Sequence, residues 1–488
     1  MRWAALPLIC VVVAGVAATA ATARTDARPI FTATTGPTAP LATGISDSTF
    51  RKSQAGLAYA MARQAGATYA RLAASWASIA PKTLPVSGFD PTDPTSPYYS
   101  WIALDASISA ADGAGVTPIL DIVSPPSWAY SVAPETWNGG APKLTALRAF
   151  ATAIARHYDR SGPAPAAHIF SVWNEPNYTK NLYPQSATLY RSMVNVVADA
   201  VHAVDPADLV LAGDLAPFRH TTSTRDRNHA ISPLAFMRSM LCLSSTDPVH
   251  RTCDTQAKFD VWTHHPYSDS GPFAHAKSPG GVQLGDLPKM EKLLQTAEQL
   301  GAIASAHPVR FWVTEVGWST NPPNKHGVPM NLEARWVAES MYQMWKSGVT
   351  LGVWFQLFDL PNSTPFQSGL YFRSPSLVDA VAKPLLEPFE FPFVAYLKPH
   401  GKVEIWGRDV TSDVRDVTIQ RQSRAGGPWT TVAHITSNKY GIFRATLPRG
   451  MAFKDSLRAS ALGSGASLPF ALFVPANENM DVTPFPRG

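Results

Sequence analysis

Two glutamates, far apart along the chain, each stand at the end of an apolar run that gives way to turn residues. Glu175 closes the run IFSVWNE and is followed by Pro176, while Glu315 closes FWVTE and is followed by VGW. Hydrolysis of a glycosidic bond at neutral pH needs two carboxyl groups in different states, one protonated to assist the leaving oxygen and one ionised. The two glutamates therefore predict this chemistry, provided that the fold brings them together.

The elements that must position the glutamates alternate between strand-like and helix-like patterns over residues 42–398. This alternation predicts an α/β domain with a parallel sheet. Amphipathic stretches cover residues 143–158, 186–204, 287–300 and 332–345. Eight apolar runs are strand candidates, the number that a closed (β/α)8 TIM barrel needs, and they start near residues 42, 68, 116, 168, 209, 259, 309 and 351. Because active sites of such barrels lie at the carboxyl ends of the strands, Glu175 and Glu315 are expected to meet there.

The sequences around the glutamates resemble those of clan A glycoside hydrolases. SVWNEPN is similar to the strand-four signature of the clan and WVTEVGWS to its strand-seven signature, and the resemblance points toward families 39 and 5. It covers roughly residues 42–398 and implies that Glu175 is the general acid/base, Glu315 the nucleophile, and Asn174 a ligand of the sugar 2-hydroxyl. A lone N-E-P also fits a turn with a capping carboxylate. A second strand-end glutamate, three βα units downstream, favours catalysis.

The same resemblance gives roles to five further residues. Arg71, in TYARLAASW, is similar to the strand-two arginine that hydrogen-bonds the nucleophile and keeps it ionised. His265 and Tyr267, in HHPY, resemble the strand-six pair in which the tyrosine contacts the nucleophile and the histidine lines the sugar site. Trp354 resembles the platform tryptophan of the clan, with core filling as the alternative, and Trp128 in SPPSWA is a further candidate platform.

Metal binding by His264 and His265 is the alternative to a role in sugar binding. Adjacent residues of a strand point to opposite faces, and no second set of carboxylates and histidines accompanies this pair. The sequence therefore predicts neither a metal nor a cofactor. The net charge of +5 is spread thinly, and no basic block interleaves with aromatic residues, so nucleic acid is not an expected partner.

The first residues have the pattern of a secretory signal peptide. Arg2 precedes an apolar run that reaches about Ala18, and the A-x-A-like segment Ala21-Thr22-Ala23 follows. We expect residues 1–23 to be the signal peptide of a secreted protein and residues 24–41 a linker. An uncleaved membrane anchor is the alternative, because apolar and small residues together run for about 20 positions.

Outside this leader the chain has two cysteines, Cys242 and Cys253. In an exported protein an even number of cysteines this close together predicts one disulfide. After about residue 399 the pattern changes to short alternating runs separated by Gly, Asp, Asn and Pro. This pattern predicts a small C-terminal β-sandwich domain over residues 399–488.

Taken together, these features predict a secreted, monomeric, retaining glycoside hydrolase that acts on an oligo- or polysaccharide by double displacement. The two carboxylates are then expected about 5–5.5 Å apart, with the ionised Glu315 raising the pKa of Glu175. Three alternatives remain open at this point. They are a transglycosylase that remodels cell-wall or capsular glycans, an inactive carbohydrate-binding barrel, and a structural wall protein whose terminal β domain does the binding.

Overall fold

The computed structural model describes residues 32–33, 39–84, 87–135, 139–162, 164–217, 229–361, 364, 366–411, 413–448 and 450–482. The predicted signal peptide and most of the predicted linker therefore lie outside the described residues. Within the described ranges, no helix combines the length and the apolar character needed to cross a bilayer.

Eight parallel strands close into a barrel in which each strand pairs with its neighbours in chain order and the last pairs with the first. The strands are β1 (Ala42–Ser46), β2 (Tyr69–Ser75), β3 (Thr117–Val123), β4 (Ile169–Val172), β5 (Leu209–Leu215), β6 (Val261–His264), β7 (Arg310–Val316) and β8 (Val349–Phe355). This closed sheet confirms the predicted (β/α)8 barrel. Its strands are recognisable in the sequence as short, nearly continuous apolar runs because both of their faces are covered.

The helices are α1 (Ala55–Gln64), α2 (Trp76–Ile79), α3 (Ile102–Gly113), α4 (Leu144–His157), α5 (Ala187–His202), α6 (Pro233–Met240), α7 (Leu287–Gln299), α8 (Met330–Lys346) and α9 (Leu386–Glu390). The helix α4 buries Leu147, Phe150 and Ile154, which lie on one face of the helix. At the start of α5 the Ser186 hydroxyl accepts a hydrogen bond from the Leu189 amide at 3.1 Å, which caps the first turn.

The interior of the barrel is apolar at its base and polar at the carboxyl ends of the strands. Ile119, Ile169 and Trp312 belong to an apolar cluster inside the barrel. Because side chains two positions apart share a strand face, the next inward position on β3 is Asp121, and on β4 it is Ser171. The base is therefore filled with packed side chains, and the polar groups that could do chemistry lie above it.

The chain ends in two antiparallel sheets, which fit the predicted β-sandwich domain. The strands are β9 (Phe393–Leu397), β10 (Val403–Arg408), β11 (Asp416–Gln422), β12 (Thr430–Thr436), β13 (Ile442–Leu447), β14 (Ser456–Ala461), β15 (Gly465–Ala466) and β16 (Phe470–Ala471). The first sheet begins before the predicted boundary at residue 399. A short turn over Pro399–Gly401 joins β9 and β10 into a hairpin, so Phe393 pairs with Gly407.

The predicted disulfide between Cys242 and Cys253 is confirmed, with Cα atoms 5.5 Å apart. It closes the segment that follows α6. The guanidinium of Arg191 on α5 lies 2.7 Å from Sγ of Cys242, so the bridge is packed against the helix layer.

Candidate active site

The two predicted catalytic glutamates are carried by different kinds of backbone. Glu315 is a residue of β7 itself. Glu175 lies three residues beyond the end of β4, in a turn where Trp173 and Glu175 have φ of 71° and 45°. The Glu175 amide donates to the Asp214 carbonyl at 2.9 Å, and this hydrogen bond attaches the turn to β5. Left-handed backbone at residues other than glycine is costly and concentrates at functional sites.

Arg71 on β2 holds four side chains of the site together. Its guanidinium donates to Glu315 at 2.6 Å, to Asp121 at 2.7 Å, and to both Asp214 and Asn174 at 3.0 Å. The residue is almost fully buried. Burial alone would lower the pKa of Arg71, but the three carboxylates raise it, so Arg71 is a fixed cation.

His265 lies between the two glutamates. Because its Nδ1 is 3.2 Å from Oε1 of Glu175 and 3.8 Å from Oε2 of Glu315, those two oxygens are no more than about 7 Å apart. Its Nε2 faces Oδ1 of Asp214 at 3.5 Å. Tyr267 donates a hydrogen bond to Glu315 Oε2 at 3.0 Å. The fold therefore brings these five side chains into one cluster.

The neighbouring residue His264 points away from this cluster. Its Nε2 lies 2.8 Å from the carbonyl oxygen of Val282. Burial lowers the pKa of His264 to about 3, so it is a neutral residue of the packed layer. The opposite orientations of His264 and His265 argue against a metal site that uses both.

The charges of the cluster are strongly coupled. Burial alone would lower the pKa of His265, but Glu315, Asp214 and Glu175 raise it to about 10, so both ring nitrogens carry protons at neutral pH. Burial would raise the pKa of Glu175, but the hydrogen bond and charge of His265 hold it below its ordinary value. The predicted rise in the pKa of Glu175 is therefore wrong for the free protein, because a cation separates the two glutamates.

Asp121 and Asp214 complete the cluster. Both end strand runs in the sequence and are candidates for substrate contact on that ground, but no motif gives either a specific role. Burial raises the pKa of Asp121 to about 7, although Arg71 opposes the rise. For Asp214, burial is outweighed by Arg71 and His265, and its pKa is lowered. The signal that could have found these residues is the one that found the glutamates, since Asp121 and Asp214 also lie near the carboxyl ends of apolar strands.

A cavity of about 840 Å³ opens above the cluster, between the loops that follow β1, β3, β4 and β8. Arg71, Asp121, Asn174 and Glu315 line it, and so does Phe355 at the end of β8. Glu175 is 6% exposed, with Asn174 and Asn181 of the same loop in the lining. The volume lies within the range of ligand sites, about 300–1,000 Å³. The cavity can therefore hold a small ligand or a short segment of a longer one.

The two tryptophans predicted as sugar platforms are not among the residues that line this cavity. Trp354 is 1% exposed, and its indole donates to the Ser368 carbonyl at 2.8 Å. Its prediction as a platform is wrong, because alternation along β8 turns Trp354 into the helix layer and presents Phe355 to the cavity. Trp128 is also outside the described lining. Its indole donates to the Pro81 carbonyl at 2.8 Å and packs on Trp76, which makes it a packing residue.

One group of described residues has the donor atoms for a metal ion within 4.8 Å of one another, namely His168, Asp205 and Asp208. Nδ1 of His168 lies 2.8 Å from Asp208, next to the starts of β4 and β5. This group is thus at the opposite end of the barrel from the cavity. It has no part in the chemistry of the cluster above.

No family model matches the chain, and no curated protein matches it in sequence. Solved structures do match it. A monomeric β-xylosidase from Caulobacter crescentus CB15 superposes with a TM-score of 0.51 at 15% identity, over 86% of this chain and 96% of that one. A GH39 β-xylosidase from Caulobacter crescentus gives a TM-score of 0.50 at 16% identity, over 87% and 97% of the two chains. At this identity the matches establish the fold alone: the chain shares the (β/α)8 barrel architecture of these two β-xylosidases.

Proposed function

We propose that the protein is a retaining O-glycoside hydrolase that acts on an oligo- or polysaccharide. One observation carries the proposal. Glu175 and Glu315 both approach the same ring nitrogen of His265, so their nearest oxygens are no more than about 7 Å apart. Retaining enzymes hold their carboxylates about 5–5.5 Å apart, and inverting enzymes about 6.5–9.5 Å. Two carboxylate oxygens within about 7 Å of each other support the retaining arrangement.

In the first step Glu315 attacks the anomeric carbon and forms a glycosyl-enzyme. Arg71 and Tyr267 each donate a hydrogen bond to its carboxylate, at 2.6 Å and 3.0 Å. These two donors hold the Glu315 carboxylate in place as the nucleophile. Asn174 receives a hydrogen bond from Arg71 on its Oδ1, which leaves its amide nitrogen to donate to the sugar.

The proton for the leaving oxygen is held by the pair of Glu175 and His265. The charged imidazole can pass its Nδ1 proton to Glu175 across 3.2 Å, and Glu175 can pass it on to the leaving group. When Glu315 becomes part of the ester, its negative charge is lost and with it one of the groups that raise the pKa of His265. In the second step Glu175 takes a proton from water, which attacks the anomeric carbon and releases Glu315.

We further propose that the protein is exported and acts as a monomer. The support for export is the leader pattern of the first 23 residues together with a disulfide, a bond typical of oxidising compartments. Growth of the source cells followed by N-terminal sequencing of the extracellular protein tests the cleavage after Ala23 or Ala20.

The catalytic assignment is tested with aryl glycosides and a panel of polysaccharides. Glu315→Gln should lower turnover of every substrate by roughly 10⁴-fold or more. Glu175→Gln should abolish turnover of poor leaving groups, spare activated aryl glycosides, and give a glycosyl azide of retained configuration when azide is added. The matched control is Glu387→Gln, since Glu387 is an exposed residue of α9, and it should behave as the wild type.

Each alternative gives a different result in the same assays. A transglycosylase would yield longer products at high acceptor concentration. An inactive binding barrel would show no turnover for the wild type. Products of inverted configuration, or no glycosyl azide from Glu175→Gln, would overturn the assigned roles.

A further inference from the structure

A second, smaller cavity adjoins the main one. It has a volume of about 260 Å³ and is formed by the loops that follow β1 and β8. The two cavities share Asp47, Ser48, Lys52 and Leu360 in their linings, so they adjoin at this border. We call the smaller one the side cavity. Its volume lies near the lower end of the range for ligand sites, which suits one sugar unit.

The side cavity presents two cations that lack an acidic partner. Lys52 and Arg373 line it, and both side chains are exposed. The ammonium group of Lys52 donates to the Ser48 hydroxyl at 3.2 Å, which is a neutral group. Within the part of the chain that the structure describes, no carboxylate forms an ion pair with Lys52 or Arg373. Both charges are therefore available to an anionic ligand at the side cavity.

The two acidic residues of the side cavity already have hydrogen-bond or ion-pair partners. The carboxylate of Asp47 accepts hydrogen bonds from the amides of Leu357 and Phe358, both at 2.9 Å, and a third from Thr49 at 2.6 Å. Asp359 pairs with the buried ammonium of Lys383 at 2.6 Å. The remaining electrostatic field of the side cavity is consequently positive.

The other lining groups suit a sugar. Hydroxyl and amide side chains hydrogen-bond the hydroxyl groups of carbohydrates, and the side cavity offers those of Ser48, Thr49, Ser53, Gln54 and Ser374. The cationic lining also continues into the main cavity, where Arg51 and Lys180 join Lys52. An anionic carbohydrate is the ligand class that combines a negative charge with many hydroxyl groups.

We propose that the side cavity is a sugar subsite for one acidic unit of the substrate, bearing a carboxylate or a sulfate that Lys52 and Arg373 bind. This inference rests on the proposed function, because the scissile bond of the same chain would lie at Glu175 and Glu315 in the main cavity. It narrows the substrate to an acidic oligo- or polysaccharide that extends from the main cavity across the border at Lys52.

Binding and turnover are measured separately to test this subsite. Calorimetric titration of the full chain carrying Glu315→Gln uses glucuronoxylan oligosaccharides and alginate oligosaccharides, each beside its carboxyl-reduced form. A sulfated galactan oligosaccharide and its desulfated form make up the sulfate arm. We expect at least one acidic probe to bind about tenfold more tightly than its neutral form, with the difference shrinking at high salt. The pair of probes that shows this difference in affinity tells whether the subsite binds a carboxylate or a sulfate.

Arg373→Gln and Lys52→Gln should each weaken binding of that acidic probe by about three- to tenfold, and leave binding of its neutral form unchanged. The matched controls are Arg148→Gln on α4 and Lys292→Gln on α7, because both are exposed cations of the helix layer. These two control substitutions should change the affinity for neither the acidic probe nor its neutral form. In the active enzyme, Arg373→Gln should raise KM for the acidic substrate and leave turnover of an aryl glycoside unchanged.

The inference is overturned if acidic probes bind no better than their neutral forms, or if Arg373→Gln and Lys52→Gln behave as the helix controls do. Absence of aryl-glycoside and polysaccharide turnover in the wild type would instead overturn the proposed function. Charge-dependent binding that is lost in Arg373→Gln would still support the subsite in that case, so the two failures can be told apart.

Discussion

The molecule has two buried clusters of arginine and carboxylates that look alike in composition and differ in surroundings. The first, here called the catalytic cluster, consists of Arg71, His265, Asp121, Asp214, Glu175 and Glu315. The second, the junction cluster, lies between α8 and the C-terminal sheets and consists of Arg335, Glu339 and Glu478. Arg335 also packs on the Phe470 ring, 3.9 Å from its centroid. Both clusters bury charge, and the catalytic cluster also opens into the main cavity.

Backbone strain also distinguishes the catalytic cluster from the junction cluster. Ser124, Trp173, Glu175 and Asp214, which follow or end β3, β4 and β5, all have positive φ, with values from 45° to 71°. The described residues of the junction cluster have no such backbone. Strain of this kind persists only where the surrounding structure enforces it, and it concentrates at functional sites. Buried ion pairs alone are therefore a poor marker of an active site, whereas ion pairs joined to a strained turn and a cavity are a good one.

The largest expected difference between the clusters is the effect of removing the arginine on catalysis. Arg71→Met leaves Asp121, Asp214 and Glu315 without their shared cation, so turnover of an aryl glycoside should fall by about 10³-fold. The free energy of unfolding in urea should fall by about 3–5 kcal/mol, because a buried charge loses its partner. Retention of more than about a tenth of the activity would show that Arg71 does not hold the nucleophile.

The junction cluster should respond to the same change in stability alone. Arg335→Met removes the ion pairs to Glu339 and Glu478 at 3.1 Å, so we expect a loss of about 3–5 kcal/mol in the free energy of unfolding. Turnover below the unfolding transition should stay within about twofold of the wild type, since the junction is remote from the cavity. A loss of turnover as large as that of Arg71→Met would contradict the distinction between the clusters.

The dependence of stability on pH should sharpen the comparison further. The pKa of Asp121 is raised from an ordinary value of about 3.9 to about 7, so the folded state holds this proton more tightly than the unfolded chain. Stability should therefore fall as pH rises from about 4 through about 7. His265 is charged in the fold up to about 10, so its contribution is complete below about 6.5 and is lost as pH rises through about 10.

Urea unfolding of variants, measured at several pH values, separates the contributions of Asp121 and His265 to stability. Asp121→Asn should flatten the decline between about pH 4 and 7, and His265→Gln the decline between about pH 6.5 and 10. Burial raises the pKa of Glu339 in the junction cluster as well. Glu339→Gln is thus the matched control: it should change the dependence of stability on pH and leave that of kcat/KM unchanged. An unaltered slope in Asp121→Asn between pH 4 and 7 would refute the assignment of the bound proton.

The fold and part of the site were predictable from the sequence because each depends on local signals. The predicted apolar runs at residues 42 and 209 match the observed strands β1 and β5. Strand-end motifs identified Glu175 and Glu315. The disulfide followed from the count of cysteines. Residues 393–397 precede the predicted boundary at residue 399 and read like one more buried strand, and only the pairing of β9 with β10 places them in a C-terminal sheet.

The electrostatics of the site could not be predicted, because they arise between residues that no local pattern connects. Arg71 comes from β2, Lys180 from the loop after β4, and His265 follows the end of β6, yet all three lower the pKa of Glu175 against the effect of its burial. The left-handed turn at Glu175 likewise depends on its hydrogen bond to Asp214 on the next strand. Resemblance to known motifs identified most members of the catalytic cluster but gave the wrong direction for that pKa.

The orientation of β8 offers the smallest and sharpest test, because neighbouring aromatic residues should have opposite roles. Phe355 lines the cavity and packs edge-on against Tyr267, with ring centroids 6.3 Å apart. Trp354 is packed beside Trp318 in the helix layer, with centroids 6.2 Å apart. Phe355→Ala should raise KM for a glycoside several-fold with little change in stability, while Trp354→Phe should lower the free energy of unfolding by about 1–3 kcal/mol and leave KM unchanged. The reverse pattern, read from initial rates and urea midpoints, would restore Trp354 as the sugar platform and require β8 to be turned by one residue.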